Sequence, residues 1–119
     1  MGALGAFARG HVIYGPFPFS LRAGGAVAGK NRPALVLART DEGDLIVCQI
    51  TSRDQADNRW AVALTDTDFE RGRLQRESSI RIDKLFTIDR DAPVNPVGML
   101  NGRKQTEVIN TLIDLLAAK

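Results

Sequence analysis

The sequence predicts a mainly β domain: a small barrel of five to seven short strands, with a short helical turn and one C-terminal α-helix. Short runs rich in Val, Ile and Leu recur between Gly, Pro and Asp turn residues, the pattern of strands joined by tight connections. The period changes after Asn101, where Val108, Ile109, Leu112, Ile113, Leu115 and Leu116 recur at helical spacing. At 119 residues the chain suits one domain, residues 1–119, with a modest core.

The first strand is His11–Gly15, stopped by Pro16 and Pro18. Residues 20–31 follow, with Gly24, Gly25 and Gly29 and no hydrophobic period, and read as a mobile loop. A Gly-rich connection of that length is either functional or disordered. Residues 33–39 and 44–51 are strands flanking the turn-forming Asp41-Glu42-Gly43, so a hairpin is expected. Residues 60–64 form another strand, and 67–71 a single helical turn with Asp68 near its start. Residues 79–82, 84–88 and 97–100 supply the remaining strands. Asn101 caps the final helix although Gly102 weakens its first turn, and the stripe ending in Leu115 and Leu116 belongs in the core.

A content of 44% hydrophobic and 25% charged residues is that of a folded globular protein, so disorder is not the default. The longest apolar runs, such as 34–38, are too short to span a bilayer. Residues 1–10 lack the charged start and apolar centre of a secretory signal, so a cytoplasmic location is expected. Cys48 is the single cysteine, which rules out an internal disulfide and suits a small core position. With His11 the single histidine, a zinc site would need mostly carboxylates, and neither metal nor other cofactor is expected. Phe17, Phe19 and Trp60 suit packing or a dimer contact better than base stacking.

Net charge is +2, but its distribution is uneven. Residues 1–40 hold five basic side chains (Arg9, Arg22, Lys30, Arg32 and Arg39) and no acidic one, whereas 41–91 hold 12 acids against 8 bases. A basic N-terminal third attracts a phosphate backbone or an acidic protein segment, and chance clustering on a solvated surface is the alternative.

The hairpin carries a geometric consequence. With the turn centred between Asp41 and Glu42, Val36 lies opposite Val47 and Arg32 opposite Thr51; a three-residue turn pairs Arg32 with Ser52 instead. Opposed residues share a face, so either register sets a guanidinium beside a hydroxyl. Such a pair can hydrogen-bond the non-bridging oxygens of a phosphate under attack by a 2′-hydroxyl. Arg81 and Asp83, two apart on a strand, share a face as well, and a carboxylate there can take the hydroxyl proton. Surface residues at strand ends and an exposed ion pair are the plain alternatives.

Lys30-Asn31-Arg32-Pro33-Ala34-Leu35-Val36-Leu37, then Gln49-Ile50-Thr51-Ser52, then Ser79-Ile80-Arg81-Ile82-Asp83-Lys84-Leu85 resemble the MazF/PemK toxins in order and spacing. Arg9-Gly10-His11-Val12 and the closing helix fit too, so the resemblance spans nearly the whole chain. It implies an SH3-like barrel of the MazF, Kid and CcdB kind, a homodimer and a cognate antitoxin protein. The implied activity is metal-independent, sequence-selective cleavage of single-stranded RNA, giving a 2′,3′-cyclic phosphate and a 5′-hydroxyl. By the same resemblance Arg32 and Thr51 are the catalytic pair, with Arg81 and Asp83 in an acid/base role. Arg22, Lys30, Ser52 and Lys84 are then expected RNA contacts.

There are departures. Many members carry an acidic residue where this chain has His11, and some place a histidine or glutamate in the Gly-rich loop, which here holds neither. The general base is Asp83 or, less in keeping with the motif, His11. Two rival functions use the same fold: a non-catalytic poison like CcdB, which relies on a C-terminal tryptophan where this chain ends Leu116-Ala117-Ala118-Lys119, and an SH3-like binding module.

Overall fold

The structure, a computed structural model, describes residues 7–17 and 31–118. The expectations for Phe19, Arg22, Lys30 and the loop at 20–30 lie outside the described residues.

Among the described residues the chain forms seven strands and one α-helix. The strands are β1 His11–Gly15, β2 Arg32–Arg39, β3 Leu45–Thr51, β4 Ala61–Leu64, β5 Phe69–Gly72, β6 Ser78–Ile88 and β7 Asn95–Leu100, followed by α1 Gly102–Ala117. They pair antiparallel in one curled sheet, in the order β4-β6-β3-β2-β1-β7-β5. The mainly β architecture with a closing helix is the one read from the sequence.

Alternate residues of β2 and β3 enter two separate clusters. Leu35, Leu37, Cys48 and Ile50 face the inside of the curl, where they meet Ile80, Ile82, Leu100 and Val108 of α1. Ala34, Val36, Leu45 and Val47 pack on the other side with Ile13, Phe17 and Ile88. Strands buried on both faces need no polar alternation, which is why these two read as unbroken apolar runs.

The β2–β3 register combines both options left open above. Thr40 donates its N–H to Asp44 O (2.9 Å), Gly43 donates to Thr40 O (2.9 Å), and Asp44 N–H reaches Thr40 Oγ1 (3.1 Å). This closes a three-residue turn, with Gly43 at φ +92°, where a side chain is strained. Arg39 therefore pairs with Leu45 and Ala38 with Ile46, but a bulge at Leu37 absorbs one residue. From there Val36 faces Val47, Leu35 faces Cys48 and Ala34 faces Gln49. Continued two residues further, that ladder sets Arg32 across from Thr51.

Three expectations need correction. The strands at 79–82 and 84–88 are one strand with a bend: Gln49 pairs with Arg81 but Cys48 pairs with Leu85. Ile82, Asp83 and Lys84 bulge away from β3, and Ile82 N–H is taken by Trp60 O at 2.9 Å. The helical turn at 67–71 lies earlier, as a 3-10 turn Asp66–Asp68. Asp68 Oδ2 accepts from Thr65 N–H at 2.8 Å, and Phe69–Gly72 is a strand paired with β7. The pairing is tight, since a Cβ at Gly72 would lie 2.2 Å from Val97 O. Finally, the apolar stripe of α1 is only half core. Val108, Leu112 and Leu115 pack on the barrel, while Ile113 and Leu116 are 56% and 71% exposed. Ile109, Ile113 and Leu116 form a second line, turned away from the first, and the sheet covers one line only.

The start of α1 is anchored by buried polar groups. Asn101 Oδ1 caps Lys104 N–H at 2.8 Å, and Asn101 N–H donates to Asp68 O. Lys104 is buried, and its ammonium donates to Ala63 O at 2.9 Å and Glu107 Oε1 at 2.7 Å, with Asp68 Oδ1 3.7 Å away. One cation thus ties the helix to β4 and to the 3-10 turn. Replacing Lys104 with Met is expected to lower stability by about 2 kcal/mol, the worth of a charge-assisted hydrogen bond whose acceptor is left unpaired. A urea midpoint unchanged from wild type would show that the clasp contributes nothing.

Candidate active site

The register of three strands assembles one polar end of the sheet. Ala34, Gln49, Arg81 and Ala61 form a row across β2, β3, β6 and β4. Thr51, Ser79 and Ala63 form the next row, with Arg32 continuing it on β2. Directly opposed residues project from the same face. Arg32 and Thr51 are brought to one groove of about 610 Å³, which Ser52 also lines. That is the arrangement expected from the hairpin.

The two side chains are differently poised. Thr51 Oγ1 accepts the Arg53 N–H at 3.1 Å, which orients the hydroxyl and leaves its hydrogen free to donate. Arg32 is half-buried and makes no hydrogen bond or ion pair with any described residue, so its donors are open to a ligand. Three further arginines, Arg53, Arg73 and Arg76, line the same groove, and no carboxylate does among the described residues. A cavity whose charged lining residues are all cations focuses a positive potential on an entering anion.

Sequence reasoning missed these three. Counting charge over 41–91 averages them away among 12 acids. For Arg73 and Arg76 the local run Arg71-Gly72-Arg73-Leu74-Gln75-Arg76, three arginines without an acid in six residues, was the available signal; Arg53 had none.

Arg81 and Asp83 form a fork-to-fork pair, Nε to Oδ1 at 2.9 Å and a terminal nitrogen to Oδ2 at 2.8 Å. The hydrogen bonds from Arg81 hold the Asp83 carboxyl below its ordinary range, with a smaller contribution from Asn58. Reciprocally, the bond to Asp83 raises the pKa of the guanidinium. Arg81 sits beside Gln49 in the row next to Thr51, but neither Arg81 nor Asp83 lines the groove. Lys84 is exposed on the bulge and does not line it either. His11 Nδ1 lies 3.0 Å from Ala8 N in a local turn, and the ring meets the edge of Phe7 at 5.3 Å. It too is absent from the groove lining. Cys48 is fully buried, and burial pushes its thiol pKa far up, which leaves it inert as a nucleophile.

Residues 8–116 match the family model of the PemK-like, MazF-like toxins of type II toxin–antitoxin systems. The chain belongs to that family. Solved structures share its fold at low identity. MazF from Deinococcus radiodurans is 24% identical, with a TM-score of 0.67 over 93% of this chain and 96% of that one. The MazE–MazF complex from the same organism gives 21% and 0.68, covering 94% and 96%. A mycobacterial endoribonuclease in complex with its cognate antitoxin gives 14% and 0.70, covering 96% and 98%. No curated protein matches the chain significantly. No helix among the described residues is long and apolar enough to cross a membrane.

For this MazF/PemK toxin the Arg81–Asp83 fork makes a direct prediction. In wild type the Asp83 carboxyl titrates below the usual aspartate range, and Arg81→Ala moves it back up, as read by carboxyl-carbon NMR. Because the folded pKa is the depressed one, the pair's contribution to stability is present above the unfolded aspartate pKa. It is lost as pH falls through the folded value. An unmoved titration in Arg81→Ala would show that the fork does not form in solution.

Proposed function

We propose that this toxin is a metal-independent endoribonuclease that cuts single-stranded RNA with sequence selectivity, acts as a homodimer and is neutralised by a cognate antitoxin. The observation that carries the reading is the meeting of Arg32 and Thr51 in a groove lined by cations and no carboxylate. Names of structural neighbours support it: one is a mycobacterial endoribonuclease bound to its antitoxin, another a MazE–MazF complex.

In the proposed reaction the 2′-oxygen attacks the adjacent phosphorus and the bond from phosphorus to the 5′-oxygen breaks. The products are a 2′,3′-cyclic phosphate and a 5′-hydroxyl. Charge accumulates on the non-bridging oxygens, where Arg32 donates two parallel hydrogen bonds and the free hydrogen of Thr51 a third. Asp83 takes the 2′-hydroxyl proton with Arg81 holding it in place, and the leaving 5′-oxygen takes its proton from water. Since Arg81 holds Asp83 ionised, this base is available but weak, and the fork has to loosen as the proton arrives. Arg53, Arg73 and Arg76 hold phosphates flanking the one being cut, together with Ser52, Lys84, Arg22 and Lys30.

Cleavage of a long single-stranded RNA in EDTA, mapped by primer extension, tests the reading. Wild type cuts at preferred sequences; Arg32→Ala loses about 10²-fold or more in rate, the scale of removing a preorganised oxyanion donor. Undiminished cutting by Arg32→Ala defeats the mechanism, and RNA binding without turnover by wild type favours a plain binding module. A second test uses salt. The double substitution Arg73→Ala with Arg76→Ala should flatten the dependence of log affinity on log salt by roughly 1.4, about 0.7 for each lost phosphate contact on a single strand. An unchanged slope removes both arginines from the RNA path.

A further inference from the structure

One buried polar side chain has no structural employment. Gln49 is only 9% exposed in the middle of β3, between Ile50 and Cys48, which both belong to the inner core. Its amide makes no hydrogen bond with any described residue, yet no fully buried polar side-chain atom among those residues lacks a partner. The amide therefore opens on the groove that Gln49 lines with Arg32 and Thr51.

Its position in the ladder is informative. Gln49 precedes Thr51 by two residues on the same face, a step of roughly 6.5–7 Å along the strand. It lies directly opposite Arg81 on β6, whose guanidinium grips Asp83. Gln49 thus stands between the pair assigned to the phosphate and the pair assigned to the proton. In a transesterification, the group that must lie between phosphorus and base is the attacking 2′-hydroxyl.

We propose that the Gln49 amide binds the 2′-hydroxyl of the reacting nucleotide, fixes it between Arg32–Thr51 and Arg81–Asp83, and makes the groove select ribose over deoxyribose. An amide offers one acceptor oxygen and two N–H donors, and a hydroxyl both gives and receives, so the two groups are complementary. A 2′-deoxy strand leaves the buried amide unpaired, which is how a polar site rejects a substrate lacking one hydroxyl. This inference rests on the endonuclease reading for its chemistry, but its test does not depend on turnover.

The experiment compares the affinities of two uncleavable strands of identical sequence, one uniformly 2′-deoxy and one uniformly 2′-amino, which keeps a donor and an acceptor at the 2′ position. Wild type is expected to favour the 2′-amino strand by about tenfold, the order of one well-made polar contact. Gln49→Met, of similar volume, brings that ratio close to one. Gln49→Glu, which keeps an acceptor, retains part of the preference. Equal affinities for the two strands in wild type, or an undiminished ratio in Gln49→Met, overturns the proposal even if RNA is cut. Failure of the endonuclease reading shows separately, as absence of cutting in EDTA.

Discussion

The site depends on one constraint, the register between β2 and β3. Shifting a strand by one residue reverses the face of every side chain on it. The three-residue turn closed by Thr40, Gly43 and Asp44 would by itself carry the ladder one residue out of step and set Arg32 across from Ser52. The bulge at Leu37 removes that offset before the ladder reaches Gln49. It is held in place because Leu37 is buried in the inner core and Val36 in the outer one, so neither can rotate past the other. The turn is held from outside as well, since Asp44 Oδ1 accepts the Arg90 N–H at 2.9 Å. Two opposing irregularities, a long turn and a bulge, are what align a guanidinium with a hydroxyl.

Given that alignment, the charges around the groove divide into two kinds. Arg32, Arg53, Arg73 and Arg76 face the groove with no carboxylate among its lining residues, so their donors await an anion. Arg81 is saturated by Asp83 through two short hydrogen bonds and contributes little net field. Free cations attract and hold; a closed ion pair stores a proton acceptor in ionised form. The bend in β6 permits this division, because the bulged residues Ile82 to Lys84 leave the β3 ladder and let Asp83 fold back on Arg81.

Much of this was legible in the sequence, for identifiable reasons. Strand runs such as Leu45–Thr51 and the helix start at Asn101 are written in local chemistry, and the structure places them within a residue or two. The Arg32–Thr51 opposition follows from counting residues across a turn, although the count was right through the cancellation of two features that no local signal announces. Residues 67–71 read as helical because Asp68 is a good cap, but pairing of β5 with β7 overrode the local preference. The exposed side of α1 was misread because six apolar residues at helical spacing do not say how wide a surface awaits them. The groove arginines at 73 and 76 escaped because charge was summed over too long a window. Gln49 carries no weight in the sequence, since a glutamine in a strand stands out only when its burial and lack of partners are known.

Stability and function are carried by separate sets of side chains. The helix end is closed: Lys104 is buried but satisfied by Ala63 and Glu107, and Asn101 joins the helix cap to the 3-10 turn. Buried charge is tolerable there because every donor finds an acceptor. The groove is open, with unpaired guanidinium groups and an unbonded amide around it. Such groups are unfavourable in a folded monomer, through mutual repulsion and incomplete hydrogen bonding. They are sustained by a core that runs from Val12 to Val108 and does not rely on them. Substitutions at the groove are therefore expected to alter ligand affinity far more than folding, whereas substitutions at the Lys104 clasp do the reverse. That separation lets a small barrel keep a polar mouth ready for a polyanion.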